Sequence, residues 1–315
     1  MKILVTPASF KQGAAGPVFE KLKAFASELV FNPQPKPLSE NELIPLLDGC
    51  IGCIAGLDPF SRKVIESAKT LKVISRYGTG VDNVDLQAAK ENNIAVFNTP
   101  GVNSRAVAEL AFGMMLGIVR RLPFLDRRTK EGKWDRSVGT ELYKKTLGIL
   151  GLGSVGKEVA KRALGFSMNV LAFDPCMDFG FTKTNGITPV DFDELIEKSD
   201  FLSLHLPLKD DTRNIICSDV MRNMKKGAII INTARGGLLD ETAACELLLS
   251  GHLGGLALDV FETEPPVHSK LFELDNVIFT PHTAARTEEA TAAMAELSVE
   301  NLIIALKDYN IKQNN

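Results

Sequence analysis

His282 stands in the stretch IFTPHTAAR (278–286) and is one of only four histidines among 315 residues. Arg235 follows the apolar run AIIINTA, and Glu264 sits in DVFETEPP just before Pro265 and Pro266. Each of the three comes just after a segment that reads as a β-strand. In an open α/β sheet, ligands bind beyond the carboxyl ends of the strands, so three such residues can converge on one ligand. Taken singly, each has a plain structural explanation as a surface charge, a loop acid or a loop histidine. Together they suit the reduction of a 2-keto acid. Arginine holds a carboxylate with a bidentate fork and polarises the adjoining carbonyl. Histidine delivers a proton in the useful pH range, and a carboxylate beside the imidazole stabilises its protonated form.

Such a reaction needs a hydride source, and TLGILGLGSVGKEVAKRAL supplies a place for one. Gly151, Gly153 and Gly156 have the spacing G-x-G-x-x-G, with an apolar strand running in and a helix starting directly behind. Gly151 permits the tight turn, Gly153 lets the backbone approach a pyrophosphate, and Gly156 lets helix and strand pack closely. The helix start adds N–H donors and partial positive charge. The next strand, NVLAFD, ends in Asp174, 18 residues beyond Gly156, where an acid receives the ribose hydroxyls. Asp174 would repel a 2′-phosphate, and Pro175-Cys176 brings no arginine to bind one, so NAD is expected over NADP. Methyltransferases that use S-adenosylmethionine have a similar loop and acid, so this motif alone leaves their chemistry open.

The elements that must carry these residues form two series. From Met1 to about Pro100, KILVT, GCIGCIAG, KVISRY and IAVFN read as strands. PVFEKLKAFASELVF (17–31), RKVIESAK and DLQAAKEN read as helices between them. Strands alternating with helices imply a parallel, doubly wound α/β layer. Asn98, Pro100 and Gly101 punctuate its end. Ser104 then caps a helix, SRAVAELAFGMMLGIVRRL (104–122), whose apolar surface is wider than one core stripe needs, which suggests a subunit interface. Beyond a polar stretch around Trp134, a second series offers TLGILGLG, NVLAFD, FLSLHL, AIIINTA, GLALDV and NVIFTP as strands.

Composition sets the frame. The chain is 45% hydrophobic and 24% charged, with a net charge of -3. No basic block points to nucleic acid. The most apolar helix, Ala106 to Val119, is too short for a bilayer and contains Glu109. MKILVTPASF reads as a strand rather than a secretion signal, so a cytoplasmic location is expected. Five cysteines are scattered along the chain. Cys50 and Cys53, inside an apolar run with no second CxxC, read as small hydrophobes rather than half a metal site, and no metal is expected.

Six stretches in order carry a resemblance to the NAD-dependent D-isomer-specific 2-hydroxyacid dehydrogenases: GTGVDNVDLQAA (78–89), NTPGVNSRAVAEL (98–110), LGILGLGSVGKEVA (147–160), INTARGGLLDE (231–241), ALDVFETEPP (257–266) and TPHTA (280–284). The resemblance implies two doubly wound domains, a Rossmann NAD domain (101–283) and a flavodoxin-like substrate domain (1–100, with 284–315 returning to it). It implies Arg235, Glu264 and His282 as the catalytic set, and substrate contacts from the Thr79-Gly80 backbone. Cofactor contacts are implied at Thr99, Ser154, Val155, Asp174, Thr233 and Asp259. A homodimer through the 104–122 helix is implied as well. Glu264 separates the chain from the formate dehydrogenase branch, which resembles the rest but carries glutamine there.

Arg76, in SRYGTGVDN, stands just before the carboxylate loop. Phosphoglycerate dehydrogenases are similar here and place an arginine for a second substrate anion. This makes 3-phosphoglycerate and 3-phosphohydroxypyruvate the expected pair, within serine biosynthesis. A chain of this length is not expected to carry a C-terminal regulatory domain. Sulfolactate, hydroxypyruvate and glyoxylate are the alternative substrates. A binding protein of another class, an NAD-sensing corepressor, would resemble an active enzyme at all three catalytic positions.

Overall fold

The computed structural model describes residues 1–11, 16–267 and 269–314. They divide into two compact units, Met1–Asn103 with Arg286–Asn315, and Ser104–Ala285.

In the first unit five strands form a parallel sheet: β1 (Lys2–Val5), β2 (Glu28–Phe31), β3 (Cys50–Ala55), β4 (Val73–Arg76) and β5 (Ala95–Phe97), in the order β2-β1-β3-β4-β5. This is the flavodoxin-like order. The two-residue period of a strand sends alternate side chains to opposite faces. Leu4, Cys53 and Ile74 join the core under helices Glu40–Leu47, Arg62–Ser67 and Leu86–Glu91. Ile3, Ile54 and Val73 point the other way, into a core closed by Leu22, Val299, Leu302 and Leu306. The last three belong to the helix Glu288–Asn314. Gly52 makes room for it, since a Cβ there would lie 2.9 Å from Leu302 Cδ1. Ser75 Oγ donates to the Ser298 carbonyl (2.7 Å) and Tyr77 Oη to that of Thr291 (2.9 Å). Cys50 and Cys53 are fully buried free thiols in this core, and burial pushes both thiols up.

One expectation fails here. Residues 17–31 carry apolar residues at helical spacing, yet the helix stops at Phe25 and 28–31 are strand β2. Glu28 to Phe31 align residue for residue with Lys2 to Val5 in parallel pairing. The Leu-Val-Phe run is at home on a pleated surface, so tertiary pairing overrides the local helical pattern.

The second unit has seven parallel strands: β6 (Thr146–Leu150), β7 (Asn169–Phe173), β8 (Thr188–Pro189), β9 (Phe201–Leu204), β10 (Ala228–Asn232), β11 (Leu253–Leu258) and β12 (Val277–Phe279). Their order is β12-β11-β10-β9-β6-β7-β8, a Rossmann sheet with one added strand. Strand β8 is two residues long and has no apolar run to announce it. The connection reverses direction between β6 and β9, which places a switch point beside the glycine loop.

The helix predicted over 104–122 ends at Val119; Arg121 turns into the left-handed region (φ 52°), and a second helix runs Leu122–Lys130 with Pro123 in its first turn. The apolar excess of Ser104–Val119 is taken up inside this unit. Ala108, Phe112, Met115 and Ile118 pack in one core with Val159, Ile231 and Ala257. Breadth of the apolar surface here reflects two-sided burial, so it does not by itself mark a subunit interface. Exposed apolar residues follow later, at Leu122, Trp134 and Val138.

Because Leu302 is wholly buried and fills the groove over Gly52, Leu302→Ala is expected to destabilise the protein by about 2–5 kcal/mol. Denaturant unfolding measures this; a loss under ~1 kcal/mol would show that the C-terminal helix contributes little to the sheet it covers.

Candidate active site

Strand β6 ends at Leu150 and Gly151 turns the chain with φ +98°, a backbone that L side chains rarely adopt. A Cβ on Gly151 would lie 2.8 Å from the His205 carbonyl, and one on Gly156 would lie 2.2 Å from the Gly151 oxygen. Both glycines are thus fixed by close backbone approach. Gly153 differs: a Cβ there would meet nothing within 4 Å, so the chain presents bare backbone to open space just ahead of helix Ser154–Gly165. Asp174 lies beyond β7 and is locked beside this loop. Its Oδ2 accepts the Leu152 N–H and its Oδ1 the Cys176 N–H, both at 2.7 Å. The open face at Gly153, the helix start with Ser154 and Val155, and the fixed Asp174 fit a dinucleotide.

One further residue of this unit supports the fit. The hydroxyl of Thr233 is buried with no hydrogen-bond partner, and in the first unit the hydroxyls of Thr99 and Ser61 are buried in the same way. Buried polar atoms without partners are uncommon, and a bound ligand is one way to satisfy them. Asp259 behaves otherwise. Its carboxylate is fully buried and accepts from Thr280 Oγ1 (2.7 Å), the Thr283 N–H (2.8 Å) and the Ala284 N–H (2.9 Å). Asp259 therefore anchors the histidine loop.

That loop delivers His282 with φ 50°, an uncommon backbone for a non-glycine residue. The conformation is held by the His282 N–H, which donates to the Asp259 carbonyl at 2.8 Å and to that of Thr280 at 3.0 Å. Nδ1 of His282 lies 2.8 Å from Glu264 Oε2, and both side chains are about one-third exposed (31% and 34%). A carboxylate only accepts when ionised, so Nδ1 carries the hydrogen of this bond and Nε2 faces away from it. Burial pushes the Glu264 carboxyl up. The hydrogen bond from His282, its charge, the Phe261 N–H and the charge of Arg235 outweigh that and hold it below the usual range. Arg235 leads out of β10 in extended backbone, its carbonyl taken by Asn232 Nδ2 at 2.7 Å and its Nη1 donating to the Ala234 carbonyl at 2.7 Å. Glu264 and His282 are in contact, and Arg235 acts on Glu264 through its field.

Thr79, Gly80 and Arg76 belong to the first unit. Thr79 is exposed and Gly80 half-buried. The loop is tied down by Thr79 Oγ1 to the Thr99 carbonyl (3.1 Å) and Asn98 Nδ2 to the Thr79 carbonyl (2.7 Å). Arg76 is only 4% exposed. Its Nη1 donates to the carbonyls of Tyr77 (2.9 Å) and Ala55 (3.2 Å), and its Nε to Asn83 Oδ1 (3.0 Å). This guanidinium braces the 77–83 loop from beneath.

His205, which the sequence motifs do not single out, sits at the end of β9 with its backbone against Gly151. Its Nε2 is 2.8 Å from Ser203 Oγ. Part of its surface stays accessible, yet burial pushes its imidazole down to about 3. The signal was present: FLSLHL carries a histidine at the edge where the glycine loop turns.

The chain belongs to the D-isomer specific 2-hydroxyacid dehydrogenases, and the model of that family's NAD binding domain matches residues 112–284. It is 48% identical over 245 residues to a D-3-phosphoglycerate dehydrogenase of Methanocaldococcus jannaschii, covering 77% of this chain and 47% of that protein. It is 42% identical over 299 residues to a hydroxypyruvate reductase of Thermotoga maritima, covering 90% of this chain and 96% of the relative. The chain thus spans about half the length of the phosphoglycerate dehydrogenase it matches and nearly all of the reductase. Among solved structures, a protein of Thermus thermophilus superposes with a TM-score of 0.86 at 34% identity, covering 98% of this chain and 97% of that one. Family membership removes the methyltransferase reading of the glycine loop.

The burial of His205 has a consequence for stability. Above pH 6.5 both folded and unfolded chains hold it neutral; below, the unfolded chain takes a proton that the folded chain refuses down to about 3. Stability should therefore fall with acidification through that window, by up to ~1.4 kcal/mol per pH unit from this group. Denaturant titrations at stepped pH values should show a shallower acid loss for His205→Asn than for the native chain; identical slopes would refute the assignment.

Proposed function

We propose that this chain interconverts a D-2-hydroxy acid and its 2-keto acid with NAD. The observation that carries the proposal is the His282 Nδ1 to Glu264 Oε2 bond of 2.8 Å, with Arg235 close enough to bear on Glu264. Gly151, Gly153, Ser154, Val155, Gly156, Asp174, Thr99 and Thr233 would hold NAD, which would supply the hydride-transfer chemistry when bound. The chain's own residues manage charge and protons. Arg235 binds the substrate carboxylate and draws electron density toward the carbonyl oxygen. Backbone at Thr79-Gly80 holds the same carboxylate. The outward Nε2–H of His282 protonates that oxygen as negative charge develops, and Glu264 stabilises the imidazolium from the other side. In oxidation the same nitrogen accepts the hydroxyl proton.

The substrate pair read first is 3-phosphoglycerate and 3-phosphohydroxypyruvate, on the strength of the 48% identical relative named for it. A second reading, hydroxypyruvate itself, draws on the bracing of Arg76 inside its own unit and on the nearly full-length match to a hydroxypyruvate reductase. Glyoxylate and sulfolactate follow. All five cysteines are free, which suits a reducing, cytoplasmic setting. A homodimer through the 104–122 segment, whose exposed apolar end is Leu122, with the exposed Trp134 and Val138 beside it in sequence, completes the proposal.

His282→Asn is expected to lower kcat by about 10²–10⁴-fold while the NADH dissociation constant stays within about twofold; retained turnover would remove His282 from the chemistry. A panel followed by NADH absorbance (3-phosphohydroxypyruvate, hydroxypyruvate, glyoxylate, pyruvate, sulfopyruvate) separates the substrates. Preference for the phosphorylated acid supports the first reading, and preference for hydroxypyruvate the second. Tight NADH binding with no turnover would transfer the chain to the NAD-sensing corepressor class.

A further inference from the structure

Glu264 is carried by residues 259–266, a stretch with no helix or strand of its own. Such a stretch positions a side chain only as well as its backbone is held. Its first residue, Asp259, is tied to Asn232 and to the histidine loop, and two further features, both from 236–241, hold the part next to Glu264. At Gly236 a Cβ would lie 1.9 Å from the carbonyl carbon of Phe261 and 2.3 Å from the Glu262 nitrogen, so the two backbones are in direct contact. Glu241 then opens helix Glu241–Leu249, and its Oε1 accepts the Glu262 N–H at 2.7 Å. Asp240 caps the same helix by accepting the Ala243 N–H at 2.9 Å, which fixes where Glu241 starts. The neighbouring Phe261 N–H donates back to Glu264 Oε1 at 3.2 Å, while Oε2 meets His282. Successive peptide N–H groups are thus bound by two different carboxylates, and the outer one is Glu241.

We infer that Glu241 is a positioning residue for the Glu264–His282 pair, clamping the Glu262 peptide so that the Glu264 carboxylate is aimed at the imidazole. The inference rests on the acid–base role proposed above for that pair. Its electrostatics are instructive. Burial pushes the Glu241 carboxyl up, and the charges of Glu262 and Glu264 push the same way against the pull of the Glu262 N–H. An acceptor is kept at this spot against repulsion from two like charges, which singles out the hydrogen bond as the feature that matters.

The test compares Glu241→Ala, Glu241→Asp and Glu241→Gln in the full chain. Gln keeps an acceptor at the same reach, Asp withdraws it by one methylene, and Ala removes it. Three readouts are taken: kcat, the NADH dissociation constant, and the downfield proton resonance of His282 Nδ1–H, assigned by its loss in His282→Asn. Ala and Asp should lower kcat by about tenfold or more with NADH affinity unchanged and the resonance broadened, and Gln should recover both. An unaltered resonance and kcat in Ala and Asp overturns the clamp, as does a Gln variant as impaired as Ala. The resonance is read without substrate. A resonance that responds to Glu241 in a chain that reduces no 2-keto acid would therefore refute the proposed reaction and leave the clamp standing.

Discussion

Much of the second unit's geometry hangs on the carboxylate of Asp259. It is buried without exposure and takes donors from Thr280, Thr283 and Ala284, while its own N–H donates to the Asn232 carbonyl at 3.0 Å. Asn232 in turn binds the Ala234 N–H and the Arg235 carbonyl. One continuous hydrogen-bonded path therefore runs from the arginine turn, across two strand ends, to the histidine loop. Bonds to a charged acceptor contribute about 1.5–3 kcal/mol each, enough to hold His282 in a backbone that costs about 1–3 kcal/mol. The positions of Arg235 and His282 are thereby coupled through Asp259, whose backbone N–H meets the Asn232 strand end and whose carboxylate holds the histidine loop.

Most of this was legible because strand ends are legible. Short apolar runs closed by polar or turn-forming residues mark β6, β9, β10, β11 and β12, and parallel alternation puts their carboxyl ends on one edge. The glycine loop was readable for the same reason: Gly151 and Gly156 occupy places where backbone meets backbone, and such contacts leave only one residue type. Helical spacing failed at 28–31, where a strand partner outweighed the local pattern, and β8 was too short to leave one.

Partners across sequence distance were less visible. Glu241 reads as an ordinary first-turn acid, since the peptide it binds lies 21 residues on. Asp259 reads as the last residue of an apolar run, with nothing local to show that it takes three donors from another loop. Arg76 has partners of the same hidden kind. Its position before the carboxylate loop suggests a reaching cation, and only the fold shows the guanidinium turned inward onto Ala55 and Tyr77. A motif fixes where a side chain starts, and hydrogen-bond accounting decides where it ends.

The return of residues 286–315 to the first unit bears on how the chain is made. Val299, Leu302 and Leu306 complete a core whose strand residues, Ile3 to Val73, stand far earlier in the chain. The second unit, by contrast, is continuous from Ser104 to Ala285. During vectorial synthesis the inserted unit is complete before residues 286–315 are made and can fold as a unit. The sheet of the first unit, whose five strands are made earlier, has Ile3, Ile54 and Val73 only partly covered, by Leu22, until helix Glu288–Asn314 follows. The sheet made first is therefore the one whose core closes last, and its face is the one that most needs protection in the nascent chain.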